Sequence, residues 1–471
     1  MAGLQFYRRG AVVQIDAFAP DTMLLDYLRL TEKSKGTKEG CNEGDCGACT
    51  VVLGSLHDGN VRYQAVNACI LLLGQIHGKE LVTVDDLARD GVLHPVQQAM
   101  VDAHASQCGF CTPGFVMSLF SLAHEARTVN RADVVTQITG NLCRCTGYRP
   151  IIEAGIKACN SVNDHWSRVK AETADILASI QGDLFAGNDD AFFAAPASAE
   201  ELARLCARYP AATILSGATD VGLWITKQMR AQKHIIYTGR ATDFATVSDH
   251  GNHISFGAGV THTDAHEALA AVHPDLDALL NRFGSRHVRA SGTLGGNIAN
   301  GSPVGDLAPA LIALGATLHL RHGHARRTMP LEAFFIAYGK QDRAAGELVW
   351  QIDVPKPRPD QVFRCFKVSK RFDDDISAVM GAFLFSLEDG KITDVRIAYG
   401  GMAATPKRAL KTERSMIGKS LSDALAVTLD DYEPLSDMRA SAHYRGTVAN
   451  ALLQKAMMEA AGMPDLRVLS S

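Results

Sequence analysis

Residues 36–49, which decide the fold of the first part of the chain, read Gly36-Thr37-Lys38-Glu39-Gly40-Cys41-Asn42-Glu43-Gly44-Asp45-Cys46-Gly47-Ala48-Cys49. With one later cysteine, the three cysteines of this stretch form the pattern C-x4-C-x2-C-x19-C. Three closely spaced thiolates followed by a fourth are the ligand spacing of one class of [2Fe–2S] site. The four glycines let the backbone fold close to a cluster, where its N–H groups can donate hydrogen bonds to sulfur. The pattern predicts a [2Fe–2S] cluster on four ligands: Cys41, Cys46, Cys49 and Cys69.

Two other interpretations of this loop are a zinc site and a group of buried structural cysteines. Zinc sites favour two C-x2-4-C pairs, which the observed triplet matches less well. Buried structural cysteines do not favour a loop that contains four glycines and four charged residues. The fourth cysteine follows sooner than in plant ferredoxins, so we expect a shortened variant of that domain.

The composition limits the classes of protein to which the chain can belong. It has 471 residues, of which 46% are hydrophobic and 21% charged, and its formal net charge is −4 at pH 7. These values are typical of a globular protein and exclude a disordered or collagen-like chain. The length predicts about three domains. The slightly acidic balance lacks the concentrated Lys and Arg that nucleic-acid binding needs, so no nucleic-acid partner is expected.

The 11 cysteines are unevenly distributed, since eight of them lie between Cys41 and Cys145. The N-terminus shows no signal peptide, and the longest apolar run, around Ala68–Leu73, is too short to span a membrane. We therefore expect a cytoplasmic protein without a membrane partner, whose clustered cysteines serve metal or redox chemistry and not disulfides. The three cysteines outside the clusters are predicted to be buried packing residues: Cys159, Cys206 and Cys365.

A second set of cysteines combines C-x2-C and C-x-C pairs that are 31 residues apart: Cys108, Cys111, Cys143 and Cys145. Both pairs precede predicted helix starts, where free N–H groups and the helix dipole favour a thiolate. Two ligands one residue apart suit a dinuclear cluster better than zinc. A zinc ribbon nevertheless stays open on the spacing alone.

The pattern of strands, helices and glycines divides the chain into four domains and a linker, of class α+β. The predicted helices include Pro113–Ala126 and Gly446–Ala461, and Asp389-Gly390 predicts a tight turn between the strands Ala378–Glu388 and Lys391–Tyr399. The predicted bounds are 1–83 and 84–160 for the two cysteine-bearing domains, 161–190 for the linker, and 191–355 and 356–471 for the last two domains.

Three stretches resemble the iron–sulfur part of the xanthine oxidase family of molybdenum hydroxylases. They are residues 36–49, quoted above, and two further motifs: Gln107-Cys108-Gly109-Phe110-Cys111-Thr112-Pro113-Gly114 and Gly140-Asn141-Leu142-Cys143-Arg144-Cys145-Thr146-Gly147-Tyr148. The resemblance implies a plant-ferredoxin-like, β-grasp [2Fe–2S] domain followed by an all-α [2Fe–2S] domain. It further implies that the second cluster lies nearest the molybdenum, that the first lies nearer a flavin, and that Gln107 contacts molybdopterin.

Two glycine-containing segments, 215–222 and 292–306, resemble the FAD-binding stretches of the same family. Neither fits G-x-G-x-x-G after a strand, so a Rossmann site is not supported. The resemblance implies a vanillyl-alcohol-oxidase-like FAD domain and an α+β C-terminal flavoprotein domain. It also implies that Lys370–Asp375 is a mobile loop near the flavin, whereas the residues alone are equally consistent with a solvated turn. The FAD-binding residues implied by the match are Ser216, Gly217, Ala218, Thr219, Asp220, Val221, Phe283, Thr293, Asn297, Asp306 and Lys367.

The resemblance implies an electron-transfer subunit of a molybdenum hydroxylase, without catalytic residues of its own for hydroxylation. The molybdopterin is expected on a large partner chain, because the sequence ends soon after the flavin domains, and two such pairs are expected to form a heterotetramer. Electrons from a purine would pass through two [2Fe–2S] clusters to FAD and then to NAD⁺. The alternatives are an aldehyde or N-heterocycle as substrate, oxygen or a quinone as acceptor, and a non-enzymatic iron–sulfur sensor or zinc scaffold.

Overall fold

The computed structural model describes residues 3–125, 127–160, 163–180 and 182–464. Its contacts divide the chain into a first unit, Met1–Asp243 with Gly284–Gly292, and a second unit, Phe244–Phe283 with Thr293–Ser471. The predicted domain 191–355 is thus shared between the units. Predicted features that lie outside the described residues are Ala126 at the end of one helix, residues 161, 162 and 181 of the linker, and residues 1–2 and 465–471 of the terminal domains.

A five-stranded mixed sheet begins the first unit. Its strands lie in the order Ala11–Ile15, Leu4–Arg8, Glu80–Val82, Thr50–His57 and Asn60–Asn67. The first hairpin turns at Arg9 and Gly10, both at positive φ, and Leu4–Arg8 runs parallel to Glu80–Val82. Short hairpins combined with one parallel pair match the expected β-grasp domain. The loop that carries residues 36–49 ends where the strand Thr50–His57 begins, so the sheet anchors one side of it.

Helices form the next part of the first unit, as the sequence predicted. They are Pro95–Asp102, Thr112–Ala123, Arg131–Ile138, Arg149–Cys159 and His165–Ser179. Shorter helical elements come earlier in the chain: the helix Leu24–Asp26 with the π-helical turn Tyr27–Thr31, and the 3-10 turns Leu73–Ile76 and Val84–Asp86. The helix Thr112–Ala123 buries Phe115 and Phe120 completely, and full burial of such a ring stabilises a fold by about 1.5–3 kcal/mol.

The predicted linker contains the helix His165–Ser179. Asp164 caps this helix by accepting a hydrogen bond from the N–H of Ser167, at 2.8 Å. Trp166 and Leu177 on its inner side are buried in the same core as the preceding helices. The segment therefore packs as an element of the first unit.

A second sheet of the first unit has the strand order Leu184–Asn188, Ala191–Ala195, His234–Tyr237 and Thr213–Leu215. Three helices accompany it: Ala199–Arg208, Val221–Thr226 and Arg286–Ser291. The strand His234–Tyr237 pairs in parallel with both of its neighbours, and the buried side chains of the sheet share a core with the strands of the β-grasp sheet.

The carboxyl group of Glu80 is buried in the first unit. Glu80 accepts hydrogen bonds from Tyr63 Oη at 2.9 Å and from Trp166 Nε1 at 3.1 Å. Burial raises the pKa of Glu80 from its ordinary value of 4.5 to about 7, although both hydrogen bonds act in the opposite direction.

The second unit contains two antiparallel sheets and a small hairpin. The first sheet has the strand order Val247–Asp249, His253–Gly257, Leu348–Pro355, Thr317–His322 and Ala325–Pro330. The second sheet has the strand order Gln361–Val368, Val379–Glu388, Lys391–Gly400 and Lys407–Arg408. The small hairpin consists of Phe335–Ala337 and Lys340–Gln341. The helices are His262–Val272, Pro274–Asn281, Leu294–Asn300, Leu307–Ala313, Leu331–Phe334, Leu410–Met416, Leu421–Ala424 and Ala442–Ala460.

The predicted hairpin of the second unit is confirmed. Glu388 pairs with Lys391, and the two turn residues Asp389 and Gly390 have φ values of 50° and 74°, as a tight turn of this kind requires. The C-terminal helix covers this sheet and extends from Ala442 to Ala460. Among the described residues, none of the helices combines the length and apolar character that crossing a membrane requires.

Candidate functional site

The first cysteine set forms one chain of sulfur contacts. Cys49 and Cys69 are buried, whereas Cys41 and Cys46 are half-buried. The Cys41 sulfur is hydrogen-bonded to the side chains of Cys46 and Cys69, and Cys69 is hydrogen-bonded in turn to Cys49. The loop and the more distant Cys69 thus bring all four predicted ligands together.

Backbone N–H groups of the loop donate to these sulfurs. The N–H groups of Asp45 and Cys46 lie 3.4 and 3.3 Å from the Cys41 sulfur, and the Cys41 N–H lies 3.3 Å from the Cys46 sulfur. Thiol hydrogen bonds from Cys46 and Cys69 hold the pKa of Cys41 far below its usual range. Gly40 allows this close approach, because a Cβ there would lie 2.7 Å from the Cys46 sulfur.

The second cysteine set pairs across its two motifs. Cys108 is hydrogen-bonded to Cys145, and Cys111 to Cys143, so each C-x2-C residue contacts one C-x-C residue. The N–H of Phe110 and then the Cys145 thiol lower the pKa of Cys108, whereas burial and the contact with Cys143 raise the pKa of Cys111 to about 12.

The second set lies at the surface of the first unit. Cys108 and Cys145 are exposed, as is the neighbouring Gln107. Two apolar side chains beside them are also open to solvent, since Phe110 is 49% and Leu142 46% exposed. An exposed cysteine pair with apolar neighbours is suited to contact with another redox centre.

Both sets have the donor chemistry of a dinuclear iron–sulfur centre, with two pairs of thiols and N–H groups directed at sulfur. Within the described ranges, no group of three or more His, Cys, Asp or Glu side chains has the arrangement that a single metal ion needs. When bound, a [2Fe–2S] cluster would be held by the four cysteines of each set.

The two cysteine-bearing loops contact each other directly. The N–H of Leu142 donates to the carbonyl oxygen of Cys46 at 2.9 Å. A Cβ on Gly47 would lie 2.1 Å from the oxygen of Gly140, and a Cβ on Gly114 would lie 2.2 Å from the oxygen of Gly47. Gly47 and Gly114 therefore allow these backbone segments to approach within contact.

The predicted flavin segment of the first unit is the turn Ser216–Val221, between the strand Thr213–Leu215 and the helix Val221–Thr226. Ala218 has a φ of +61°, and Asp220 has right-handed helical backbone angles, so the chain reverses its hand within the turn. A Cβ on Gly217 would lie 2.1 Å from the oxygen of Ser291. The turn fits the phosphate-binding role that the resemblance implies.

Two of the predicted flavin residues in the second unit begin or line a helix. The Thr293 hydroxyl accepts a hydrogen bond from the N–H of Gly296 at 3.0 Å and so caps the helix Leu294–Asn300, on which Asn297 is half-buried. Phe283 is also half-buried, and its ring lies 4.6 Å from that of His262.

The other two predicted flavin residues in the second unit, Asp306 and Lys367, form a buried ion pair. Lys367 Nζ lies 2.6 Å from Asp306 Oδ2 and donates a second hydrogen bond to the oxygen of Arg282. The hydroxyl of Ser377 donates to Asp306 Oδ1 at 2.5 Å. Because each charge is paired and hydrogen-bonded, both side chains are held in fixed positions.

The charged loop Lys370–Asp375 is held by contacts within the second unit. Asp375 accepts a hydrogen bond from the N–H of Arg371, and Lys370 Nζ donates to the oxygen of Met438 at 2.7 Å. The guanidinium of Arg282 lies 4.4 Å from the centre of the Phe372 ring and donates to the Phe372 oxygen.

Sequence reasoning missed the polar residues that connect the two cysteine-bearing loops of the first unit. Asn141 lies inside a quoted motif, but nothing in the spacing indicated that its side chain reaches Gly47 at 3.0 Å. Ser118 and His287 lie on helices and gave no motif signal, although their side chains are 3.0 Å apart. Contacts across such sequence distances carry no local pattern.

Four family models match successive parts of the chain. They are the 2Fe-2S iron-sulfur cluster binding domain at residues 7–73, the [2Fe-2S] binding domain at 83–155, the FAD binding domain in molybdopterin dehydrogenase at 188–357, and the CO dehydrogenase flavoprotein C-terminal domain at 364–460. The chain therefore has two [2Fe–2S] domains, an FAD-binding domain and a C-terminal flavoprotein domain.

Similar curated proteins are xanthine dehydrogenases. Xanthine dehydrogenase of Drosophila subobscura is 32% identical in an alignment of 483 positions, gaps included, that covers 90% of this chain and 36% of the relative. Xanthine dehydrogenase 1 of Arabidopsis thaliana is 31% identical in an alignment of 492 positions that covers 87% of this chain and 36% of the relative. The chain thus spans about a third of the length of the curated relatives that it matches.

Solved structures of similar fold include two other oxidoreductases. Carbon monoxide dehydrogenase from Hydrogenophaga pseudoflava has a TM-score of 0.53 at 24% identity, covering 56% of this chain and 95% of that chain. Quinoline 2-oxidoreductase from Pseudomonas putida 86 has a TM-score of 0.52 at 25% identity, covering 57% and 95%.

Proposed function

Because the chain belongs to the xanthine oxidase family, whose iron–sulfur and flavin domains it carries, we propose that it is the electron-transfer part of a xanthine dehydrogenase. The observation that carries this proposal is the direct contact of two cysteine-bearing loops, through the hydrogen bond from Leu142 to Cys46. Two redox sites in backbone contact form a continuous route for electrons.

The proposed reaction is the oxidation of hypoxanthine to xanthine and then to urate. Each hydroxylation adds oxygen from water to a C–H bond and releases two electrons and two protons. A large molybdopterin-binding partner chain would perform this step, in a heterotetramer of two pairs. NAD⁺ takes up the two electrons with one proton. When bound, the clusters carry single electrons and FAD collects two for hydride transfer.

The residues of the chain bind and orient these groups. Exposed Cys108 and Cys145, with Gln107 beside them, would face the molybdopterin of the partner. Buried Cys49 and Cys69 would hold the other cluster away from water. The N–H groups directed at the Cys41 sulfur stabilise added negative charge, which raises the reduction potential.

Each group of predicted flavin residues has its own proposed role in binding FAD. The turn Ser216–Val221 would bind the pyrophosphate through its N–H groups. Phe283 would flank the flavin, and Thr293 and Asn297 would hydrogen-bond the cofactor. Asp306 would also hydrogen-bond the cofactor, and its ion pair with Lys367 would hold the lysine side chain in place beside the flavin.

A second candidate substrate class is an aldehyde or an N-heterocycle. The similarity in fold to quinoline 2-oxidoreductase favours testing it. Co-purification of the partner chain, followed by assays with hypoxanthine, xanthine, quinoline and a simple aldehyde, distinguishes the two classes. Activity on purines alone supports the first proposal.

The cluster ligands are tested by Cys143→Ser. We expect this substitution to remove one of two distinguishable reduced-cluster signals in electron paramagnetic resonance (EPR) and to leave the bound flavin unchanged, because a serine hydroxyl is a poor ligand for iron. The matched control is Cys159→Ser, a buried cysteine outside both sets whose sulfur donates only to the oxygen of Leu119.

The control is expected to retain both signals. Retention of both signals in Cys143→Ser contradicts the ligand assignment. A colourless preparation of the unaltered chain, without flavin or iron, contradicts the whole electron-transfer proposal and favours a scaffold.

A further inference from the structure

His287 is a buried residue that the proposed electron route does not use. It lies on the short helix Arg286–Ser291, and only 1% of its surface is exposed. Its Nε2 atom lies 3.0 Å from the hydroxyl of Ser118 and 3.3 Å from the hydroxyl of Thr50. The imidazole thus reaches two segments that are 169 and 237 residues away in sequence.

The hydrogen-bond network assigns the proton of this ring. Ser118 donates its hydroxyl hydrogen to Asn141 Oδ1 at 2.6 Å, and Thr50 donates its own to the oxygen of Gly47 at 2.6 Å. Each hydroxyl has only one hydrogen, so both present lone pairs to His287. Nε2 must therefore carry the proton and donate to the two oxygens.

The other ring nitrogen supports this assignment. Among the described residues, Nδ1 of His287 is buried and has no hydrogen-bond partner. Burial, with Arg286 and Arg289 nearby, lowers the pKa of His287 to about 3, so the ring is neutral. The neutral ring thus donates a hydrogen bond through Nε2, while its acceptor atom Nδ1 is left unsatisfied among the described residues.

The same network connects the two cluster-binding loops. Asn141 Nδ2 donates to the oxygen of Gly47 at 3.0 Å and to the Thr50 hydroxyl at 3.1 Å. Gly47 lies between two predicted ligands of the first cluster, and Asn141 lies two residues before Cys143 of the second. We call this hydrogen-bonded contact between the two loops the joint. The Nε2 N–H of His287 donates to the hydroxyl oxygens of both Ser118 and Thr50, which are part of the joint.

The backbone of the joint packs closely around His287. A Cβ on Gly140 would lie 2.4 Å from Nδ1 of His287, and one on Gly47 would lie 2.9 Å from the Cα of Asn141. Loss of the Nε2 donor is therefore expected to affect the loops themselves, because the backbone of Gly140 lies against this ring.

We propose that His287 is a positioning residue that fixes the distance and orientation of the two [2Fe–2S] clusters through Ser118, Thr50 and Asn141. This inference rests on the proposed ligand assignment. Electron transfer between two centres falls steeply as their separation grows, so a donor that locks both loops controls the rate between the clusters.

The test compares His287→Leu, which removes the donor at similar volume, with His287→Gln, whose amide N–H can replace it. In the full chain with its partner, the two reduced clusters give a magnetic interaction in low-temperature EPR spectra. We expect His287→Leu to change this interaction and to slow electron transfer between the clusters by about tenfold, as loss of an outer contact does at metal sites. We expect His287→Gln to restore both.

Iron and flavin content are measured for each variant, and Ser118→Ala serves as a second disruption. It removes one acceptor of the His287 donor and the hydrogen bond to Asn141, so the same changes are expected if His287→Leu does not fold. An unaltered magnetic interaction and rate in the folded variants overturn the proposal. Absence of two cluster signals from the unaltered chain instead refutes the ligand assignment on which the proposal rests.

Discussion

Glu80 shows how one buried carboxyl group makes the stability of the first unit depend on pH. Its pKa is raised from 4.5 to about 7 by burial, so the folded state binds more protons than the unfolded state between these values. Stability is therefore lost as the pH rises through this window, and the loss is complete above about pH 7.

We expect Glu80→Gln to stabilise the first unit above pH 7 by about 3 kcal/mol, at about 1.4 kcal/mol per unit of pKa. The amide still accepts from Trp166 Nε1, and its NH₂ can donate to the hydroxyl of Tyr63. Denaturant unfolding at pH 5, 7 and 8.5 measures the effect, with the exposed Glu153→Gln as control. A difference from the unaltered chain that does not grow with pH contradicts the prediction.

At the scale of elements, the helix Thr112–Ala123 determines how closely the two cluster loops approach. Gly114 faces the oxygen of Gly47, which would lie 2.2 Å from an added Cβ. We expect Gly114→Ala to destabilise the first unit by about 1–3 kcal/mol, the range for overpacking, and to lower its iron content.

Gly446→Ala is the matched control for Gly114→Ala. Gly446 also lies in a helix, Ala442–Ala460, but no atom lies within 4 Å of an added Cβ. The control is expected to be neutral or stabilising by up to about 1 kcal/mol. Equal stability and equal iron absorbance in both variants would show that the helix and the loop can separate without cost.

Elements were predictable where their cause is local. The turn Asp389-Gly390 follows from residues that tolerate positive φ, and the cysteine spacings follow from the geometry of a cluster. The helix His165–Ser179 was missed because its apolar face is defined by a core formed elsewhere in the chain. His287 was missed for the same reason, since its partners are more than 160 residues away.

At the scale of the whole molecule, we expect flavin chemistry to be separable from the proposed hydroxylation. We expect the chain loaded with FAD to catalyse NADH-dependent reduction of a dye without its partner, because hydride exchange with nicotinamide needs only the flavin. Stopped-flow bleaching of the flavin by NADH measures the first step, and flavin-free chain is the control. A fully loaded chain that does not oxidise NADH counts against NAD⁺ as the acceptor.

The path of the chain between the two units has a consequence for its synthesis. The segment Gly284–Gly292 belongs to the first unit, although the residues before and after it belong to the second. A ribosome therefore releases residues 1–243 well before the segment that completes their hydrogen-bonded joint. We therefore expect the first unit to reach its final structure only after residue 292 has emerged, and iron insertion into the fully formed proposed site to follow translation of most of the FAD-binding domain.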